Sequence, residues 1–152
     1  SRSYDVNVEA ELGYIAKLGQ DASRVGFTKP EDAKMFVEQT GVNALAVAIG
    51  TSHGFYKSTP LLQINLLKEI RNAIDIPLVL HGGSGVPDEQ LRAAIKYGVC
   101  KINLATEVKN TFMKTLKMRM DVSNEIDLRK VFPDATDSVT SLIKSKLCVV
   151  NA

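Results

Sequence analysis

The chain reads Leu78-Val-Leu-His81-Gly-Gly-Ser-Gly85 near its middle, a short apolar run that ends in a histidine and a glycine-rich turn. The run Ala46-Val-Ala-Ile-Gly-Thr-Ser-His53-Gly54 has the same design, and these two histidines are the only ones in the sequence. A third run, Lys101-Ile-Asn-Leu-Ala-Thr-Glu107, ends in small polar residues. Consecutive strands that deliver polar groups at their carboxyl ends build the active sites of α/β barrels. The three runs therefore predict parallel strands whose ends carry a metal- and phosphate-handling site.

Four strand–helix units can be followed outward from these runs. The alternation of apolar and polar residues over 6–12 predicts the first strand, with Glu9 and Glu11 on its polar face. Thr28 is expected to cap the next helix, and Glu31 to complete a capping box. The predicted strands are 6–12, 42–49, 78–80 and 99–104, and the predicted helices are 28–40, 63–73, 87–97, 107–118 and 134–146.

The unit count predicts an α/β fold of the (β/α)8 TIM-barrel family. Such a barrel uses about 30 residues per unit, so four units make half a barrel. We predict a single domain over 1–152, with the barrel units in 1–118 and a helical extension in 119–152. A half barrel leaves two strand edges unpaired, so the chain is expected to belong to a longer one or to pair with a second copy or another half. A small doubly wound sheet is the alternative, although no Gly-x-Gly-x-x-Gly follows the first strand.

Composition narrows the function classes. The formal net charge of +2 is too small to predict a nucleic-acid surface, and no stretch is apolar and long enough to predict a membrane span. The first residues do not resemble a signal peptide, and the absence of an initiator Met suggests that residues precede them. Cys100 and Cys148 have no metal-binding spacing and are expected to be reduced, buried thiols. These features predict a cytoplasmic protein.

The two strand-end histidines predict a metal centre. A single histidine in such a place is usually structural, but inward positions at the ends of neighbouring strands converge. Neutral imidazoles there suit zinc, whose catalytic sites normally take three protein ligands. Glu11 is the candidate for a third ligand or a transient one, and its alternative role is an interior carboxylate paired with a cation.

Two turns predict phosphate binding, namely residues 82–85 after His81 and residues 103–106 at the end of the next predicted strand. Glycines let backbone N–H groups approach an anion, and both turns lead into helices, whose N-termini favour phosphate. The candidate residues are Gly82, Gly83, Ser84, Asn103, Leu104, Ala105 and Thr106. Lys57 is either a phosphate contact or a solvated loop lysine, and Arg129 taken by itself is a surface residue.

Together these residues resemble the class II, zinc-dependent ketose-bisphosphate aldolases, of the fructose- and tagatose-bisphosphate types. The matching segments are Val8-Glu-Ala-Glu-Leu-Gly13, Ala48-Ile-Gly-Thr-Ser-His-Gly-Phe-Tyr-Lys57, Pro77-Leu-Val-Leu-His-Gly-Gly-Ser-Gly-Val-Pro87 and Lys101-Ile-Asn-Leu-Ala-Thr-Glu107. The resemblance weakens after about Met118 and corresponds to the C-terminal half of the family's barrel. It implies reversible cleavage of fructose or tagatose 1,6-bisphosphate to dihydroxyacetone phosphate and glyceraldehyde 3-phosphate, with zinc polarising the ketose carbonyl.

The resemblance also implies roles for individual residues. His53 and His81 correspond to two of the family's three zinc ligands. Gly54, Gly82 and Ser84 correspond to the loops that bind dihydroxyacetone phosphate and a monovalent cation, Na⁺ or K⁺. The segment from Asn103 to Thr106 corresponds to the other half of that phosphate site. Arg129 stands where the family often places an arginine for the second phosphate.

The sequence departs from the family in two places. The third zinc histidine and the catalytic aspartate belong to an earlier strand of the family, and no third histidine is present here. The family's acidic mobile loop corresponds to Lys17-Leu-Gly-Gln-Asp21, where Asp21 is the candidate base. The isolated chain is therefore expected to be inactive. The protein is expected to form a homo-oligomer or to pair with the missing N-terminal half. The alternatives are a non-catalytic phosphate-binding half barrel and a barrel lyase or hydrolase for another phosphorylated substrate.

Overall fold

The described residues of this computed structural model, 4–14, 26–54, 56 and 58–151, alternate strands and helices. Asp21 and Lys57 lie outside them. The elements in chain order are β1 (Glu9–Leu12), α1 (Pro30–Thr40), β2 (Ala44–Val47), α2 (Ile64–Ala73), β3 (Leu78–Leu80), α3 (Asp88–Lys96), β4 (Val99–Ile102), α4 (Thr106–Asp121), α5 (Leu128–Val131) and α6 (Pro133–Val150). The predicted α/β class is confirmed.

The strands form one parallel sheet in the order β1-β2-β3-β4. In the register, Glu11 stands beside Ala46, and Ala46 stands beside Val79. The central strands β2 and β3 are almost entirely buried, whereas the edge strands β1 and β4 carry exposed charged residues. Because all strands run the same way, the segments that follow them begin at the same edge of the sheet. That edge is where the histidines were predicted to meet.

The helices between the strands bury the core. α1 packs against α2 and α2 against α3. In α2, Leu67 and Ile70 are fully buried, because residues three apart share one helical face. Gly41 follows the last residue of α1 and caps the helix with a left-handed φ of 65°, and its N–H donates to the Val37 carbonyl.

The predicted capping role of Thr28 is wrong. The residue at the N-cap of α1 is Lys29, and no described side chain caps this helix. Thr28 is buried instead, with its hydroxyl donating to the Leu12 carbonyl at 2.6 Å and accepting from the Ala48 N–H at 2.8 Å. A buried hydroxyl must satisfy its hydrogen bonds, and here it does so by joining the ends of β1 and β2.

The buried positions predicted for the two cysteines are also wrong. Cys100 and Cys148 are free but exposed. Cys100 lies on the edge strand β4, and Cys148 lies on an exposed part of α6, where the buried neighbour is Val149.

The chain divides into two compact units, Ser1–Leu104 and Ala105–Ala152. In the second unit α4 packs against α6, and Phe112 meets Phe132 edge to face with ring centroids 5.6 Å apart. Between α4 and α6, where the sequence analysis predicts no helix, lies the short helix α5, which Asp127 caps by accepting from the Arg129 N–H. None of the described helices has both the length and the apolar character that crossing a bilayer requires. The predicted boundary between 118 and 119 stays a prediction.

Candidate metal centre

The two histidines lie next to each other. His53 is in the segment that follows β2, and His81 follows β3 directly. Their ring centroids are 6.1 Å apart and their planes are tilted by 48°. Both residues are half-buried. The parallel pairing of β2 with β3 brings these imidazoles together from positions 28 residues apart in the chain (81 − 53).

Glu11 joins the two histidines from the neighbouring strand. Its Oε2 atom lies 2.5 Å from Nδ1 of His81. One ligand atom from each of Glu11, His53 and His81 lies within 4.8 Å of the other two. Donors bound at about 2 Å to one zinc ion lie about 3–4 Å apart, so small side-chain rotations would close the set. Two imidazoles and a carboxylate form the donor set of known catalytic zinc sites, so these residues fit zinc.

A second carboxylate holds the far side of the His81 ring. The Nε2 atom of His81 lies 3.1 Å from Oε1 of Glu9, and Nζ of Lys101 donates to Oε2 of Glu9 at 2.7 Å. The hydrogen bond from Lys101 is the main cause that keeps the pKa of Glu9 below its usual value, with His81 adding to it against the effect of burial. Carboxylates in this position orient metal-binding histidines in other proteins.

Sequence reasoning gave no role to Glu9 or Lys101. A signal was available, because Glu9 precedes Glu11 by two residues and so shares its face of β1. Lys101 opens the third strand-like run, but nothing in that run indicates which carboxylate it meets.

The glycine-rich turn after His81 is shaped by close contact between backbones. Gly82 has a φ of 71°, and a Cβ added there would lie 2.5 Å from the Ser52 carbonyl oxygen. The Gly83 N–H donates to the Asn103 carbonyl at 3.0 Å, and the Asn103 N–H donates to the Leu80 carbonyl at 2.9 Å. Part of the reason for glycine here is therefore packing, and the Gly83 amide is already engaged within the protein.

The remaining predicted phosphate residues are placed as follows. Gly54 follows His53 with a φ of 103°, and Ser84 is buried in the turn after His81. Asn103 and Leu104 follow β4 and are half-buried. Ala105 and Thr106 open the second unit, where Thr106 is the first residue of α4.

Arg129 is engaged by a neighbour within the second unit. Its Nε and Nη2 atoms donate to the two carboxylate oxygens of Asp127 at 3.0 and 2.8 Å. The pairing raises the pKa of Arg129 and lowers that of Asp127. Its side chain is 89% exposed, as a surface arginine would be.

A parallel α/β sheet with histidine and carboxylate donors at its carboxyl edge is typical of metal-dependent barrel enzymes. The sequence model of the family described as "Fructose-bisphosphate aldolase class-II" matches residues 1–152. The chain therefore belongs to the class II fructose-bisphosphate aldolase family, and the resemblance found from the sequence is confirmed.

Solved structures agree with this assignment. The YdjI aldolase from Escherichia coli K12 superposes with a TM-score of 0.81 at 35% identity over 98% of this chain and 51% of its own. A putative fructose-1,6-biphosphate aldolase from Coccidioides immitis gives 0.84 at 25% identity over 99% and 54%. The fructose-bisphosphate aldolase from Campylobacter jejuni, at 23% identity and a TM-score of 0.74 over 99% and 51%, shares the fold. The chain thus spans about half the length of these structures.

Proposed function

We propose that this chain carries the metal-binding and part of the phosphate-binding machinery of a class II ketose-bisphosphate aldolase. The reaction is reversible cleavage of fructose or tagatose 1,6-bisphosphate to dihydroxyacetone phosphate and glyceraldehyde 3-phosphate. The observation that supports it is the convergence of Glu11, His53 and His81 at the carboxyl edge of the sheet in a member of this family.

The three converging residues would hold zinc. Bound there, zinc supplies a Lewis acid for the ketose carbonyl. The fold of this chain brings the three candidate metal-binding side chains together. His53 and His81 come from the segments after neighbouring strands, and Glu11 adds a negative charge that favours a cation. Glu9 and Lys101 would fix the orientation of the His81 ring through its second nitrogen.

The turns after His53 and His81 would bind the C1 phosphate of the substrate, together with a Na⁺ or K⁺ ion. Gly54, Gly82 and Ser84 are the residues proposed from this chain, joined by Asn103 and Leu104 after β4. The backbone hydrogen bond from Gly83 to Asn103 links the His81 turn to the segment after β4, and a second bond joins Asn103 to Leu80 at the end of β3. Holding the phosphate on these turns would fix the reacting carbons beside the metal donors. The roles of Gly83, Lys57, Asp21, Ala105, Thr106 and Arg129 stay sequence-based predictions.

The proposed site needs groups beyond this chain's 152 residues. The family resemblance implies a third zinc histidine and a catalytic aspartate on an earlier strand, and His53 and His81 are the only histidines here. We propose that they come from a partner half, because a second copy of this chain would lack the same strand. We also propose a cytoplasmic location, where the free thiols of Cys100 and Cys148 would stay reduced.

A non-catalytic phosphate-binding half barrel is the second candidate. It is favoured by the open sheet, since β1 and β4 each pair on one side only among the described residues. An exposed strand edge is a template for pairing with another chain.

One set of measurements separates the two candidates. Zinc content and isothermal titration with dihydroxyacetone phosphate are measured on the chain alone, and cleavage of both bisphosphates is measured with and without a co-expressed N-terminal half from the family. The aldolase proposal expects one zinc per site, triose binding and turnover only with the added half. Triose binding without turnover in that complex favours the second candidate. A chain that binds neither zinc nor dihydroxyacetone phosphate contradicts both candidate functions.

A further inference from the structure

One phenol hydroxyl reaches the backbone beside both candidate zinc histidines. The Ser52 N–H donates to the Tyr56 hydroxyl at 2.9 Å, and that hydroxyl donates to the Gly82 carbonyl at 2.8 Å. Ser52 immediately precedes His53, and Gly82 immediately follows His81. Tyr56 therefore links the two segments that carry the histidines.

The surroundings of this hydroxyl leave little freedom. A Cβ at Gly82 would lie 2.5 Å from the Ser52 carbonyl oxygen, so the two backbones are already in close contact. A Cβ at Gly85 would lie 3.4 Å from a ring carbon of Tyr56, so the ring packs against the glycine turn. Burial raises the pKa of the phenol, which keeps the hydroxyl protonated and able to donate. The hydroxyl uses its donor and one acceptor position on these two partners.

We infer that Tyr56 is a positioning residue that sets the separation of His53 and His81 and thereby raises the metal affinity of the pair. The inference rests on the proposed metal site. When two imidazoles lie on separate segments, metal binding must restrict the motion of both segments, which costs conformational entropy. A separation that is already fixed removes most of this cost. Groups that orient metal ligands in other proteins change affinity by about 10–100-fold when removed.

The test is the substitution Tyr56→Phe, which keeps the ring and removes the hydroxyl. Zinc affinity is measured by competition with a chromophoric chelator, and cobalt(II) absorption reports the ligand set. We expect the dissociation constant for zinc to rise by about 10–100-fold, with the cobalt spectrum at saturation unchanged because the ligands are the same. Tyr97→Phe is the matched control, since Tyr97 precedes β4 and so lies at the amino end of the strands, against Lys68.

The outcomes are distinct. Zinc binding by Tyr56→Phe within threefold of the wild type overturns the inference, while the metal site itself stands. A wild-type chain that binds no zinc removes the proposed site and the inference with it. A purely structural role would lower the melting temperature of the metal-free chain without weakening zinc binding, and that result also overturns the inference. Should the variant not fold, amide exchange at Ser52 in the wild type decides, because an unprotected Ser52 amide contradicts the hydrogen bond to Tyr56.

Discussion

The substitution Glu11→Gln tests whether this carboxylate is a metal ligand or an interior acid paired with a cation. Structural zinc sites with four ligands bind with about 10–16 kcal/mol, or roughly 2.5–4 kcal/mol per ligand. In this structure Glu11 lies against Nδ1 of His81, a contact that the metal must displace, and its side chain is 39% exposed. Both features place the net loss in the lower part of this range, at about 2.8 kcal/mol, which corresponds to roughly 100-fold in affinity.

Competition titration of zinc against a chromophoric chelator at pH 7.5 measures this loss. Glu38→Gln is the control, because it removes an exposed carboxylate from α1, away from the carboxyl edge of the sheet. The control should bind zinc as the wild type does. Zinc binding by Glu11→Gln within threefold of the wild type would refute ligation by Glu11 and favour the role of a cation-paired carboxylate.

Three further predictions follow from individual contacts. Glu9→Gln should weaken zinc binding by about 10–100-fold in the same titration, because the carboxylate that orients His81 is lost; an unchanged affinity would assign Glu9 to the pair with Lys101 alone. Leu67→Ala removes a fully buried side chain and should lower the free energy of unfolding by about 2–5 kcal/mol in urea, whereas Met35→Ala on an exposed position should change it by less than about 0.5 kcal/mol. Removing the guanidinium in Arg129→Met should raise the pKa of Asp127 toward its ordinary value, read from the carboxyl ¹³C shift. Because the pKa of Asp127 is lower in the folded chain than in the unfolded chain, its pairing with Arg129 stabilises the fold at pH values above the unfolded pKa, and this contribution is lost as pH falls through the folded pKa. If stability depends on pH in the same way in Arg129→Met as in the wild type, the pairing does not have this effect.

The bounds of β3 were predicted correctly from the sequence, whereas the other central strand, β2, was predicted over 42–49 and spans Ala44–Val47. The apolar run Leu78–Leu80 is β3 without change. The first strand was predicted over 6–12 but begins at Glu9, because pairing with β2 starts at Ala44. An edge strand extends only as far as its single neighbour, and alternation within the strand does not indicate where that neighbour begins.

Two helix ends also differ between the sequence-based prediction and the structure, and tertiary contacts are again the reason. The last helix was predicted to end near Lys146 and continues to Val150, since nothing in Cys148-Val-Val stops a helix and Val149 is buried. Thr28 has the residue type of a helix cap, but a buried hydroxyl between two strand ends satisfies more backbone groups than a cap would. In both cases tertiary contacts, rather than the local sequence, decide the structure.

The amino-acid sequence by itself determined the class of fold, the family, and the two histidines with Glu11 as a candidate partner. The fold class and the candidate ligands follow from periodicity and from the residues at strand ends. The family follows from the resemblance of four short segments, and all of these are local properties of the sequence. Only the tertiary structure decided that Glu9 and Lys101 hold the far side of His81 and that Tyr56 joins the two histidine segments. Glu9 and Lys101 are 92 residues apart in the chain, and Glu11 and His81 are 70 apart. Such contacts depend on the order and register of neighbouring strands, which a single sequence does not contain in its local pattern.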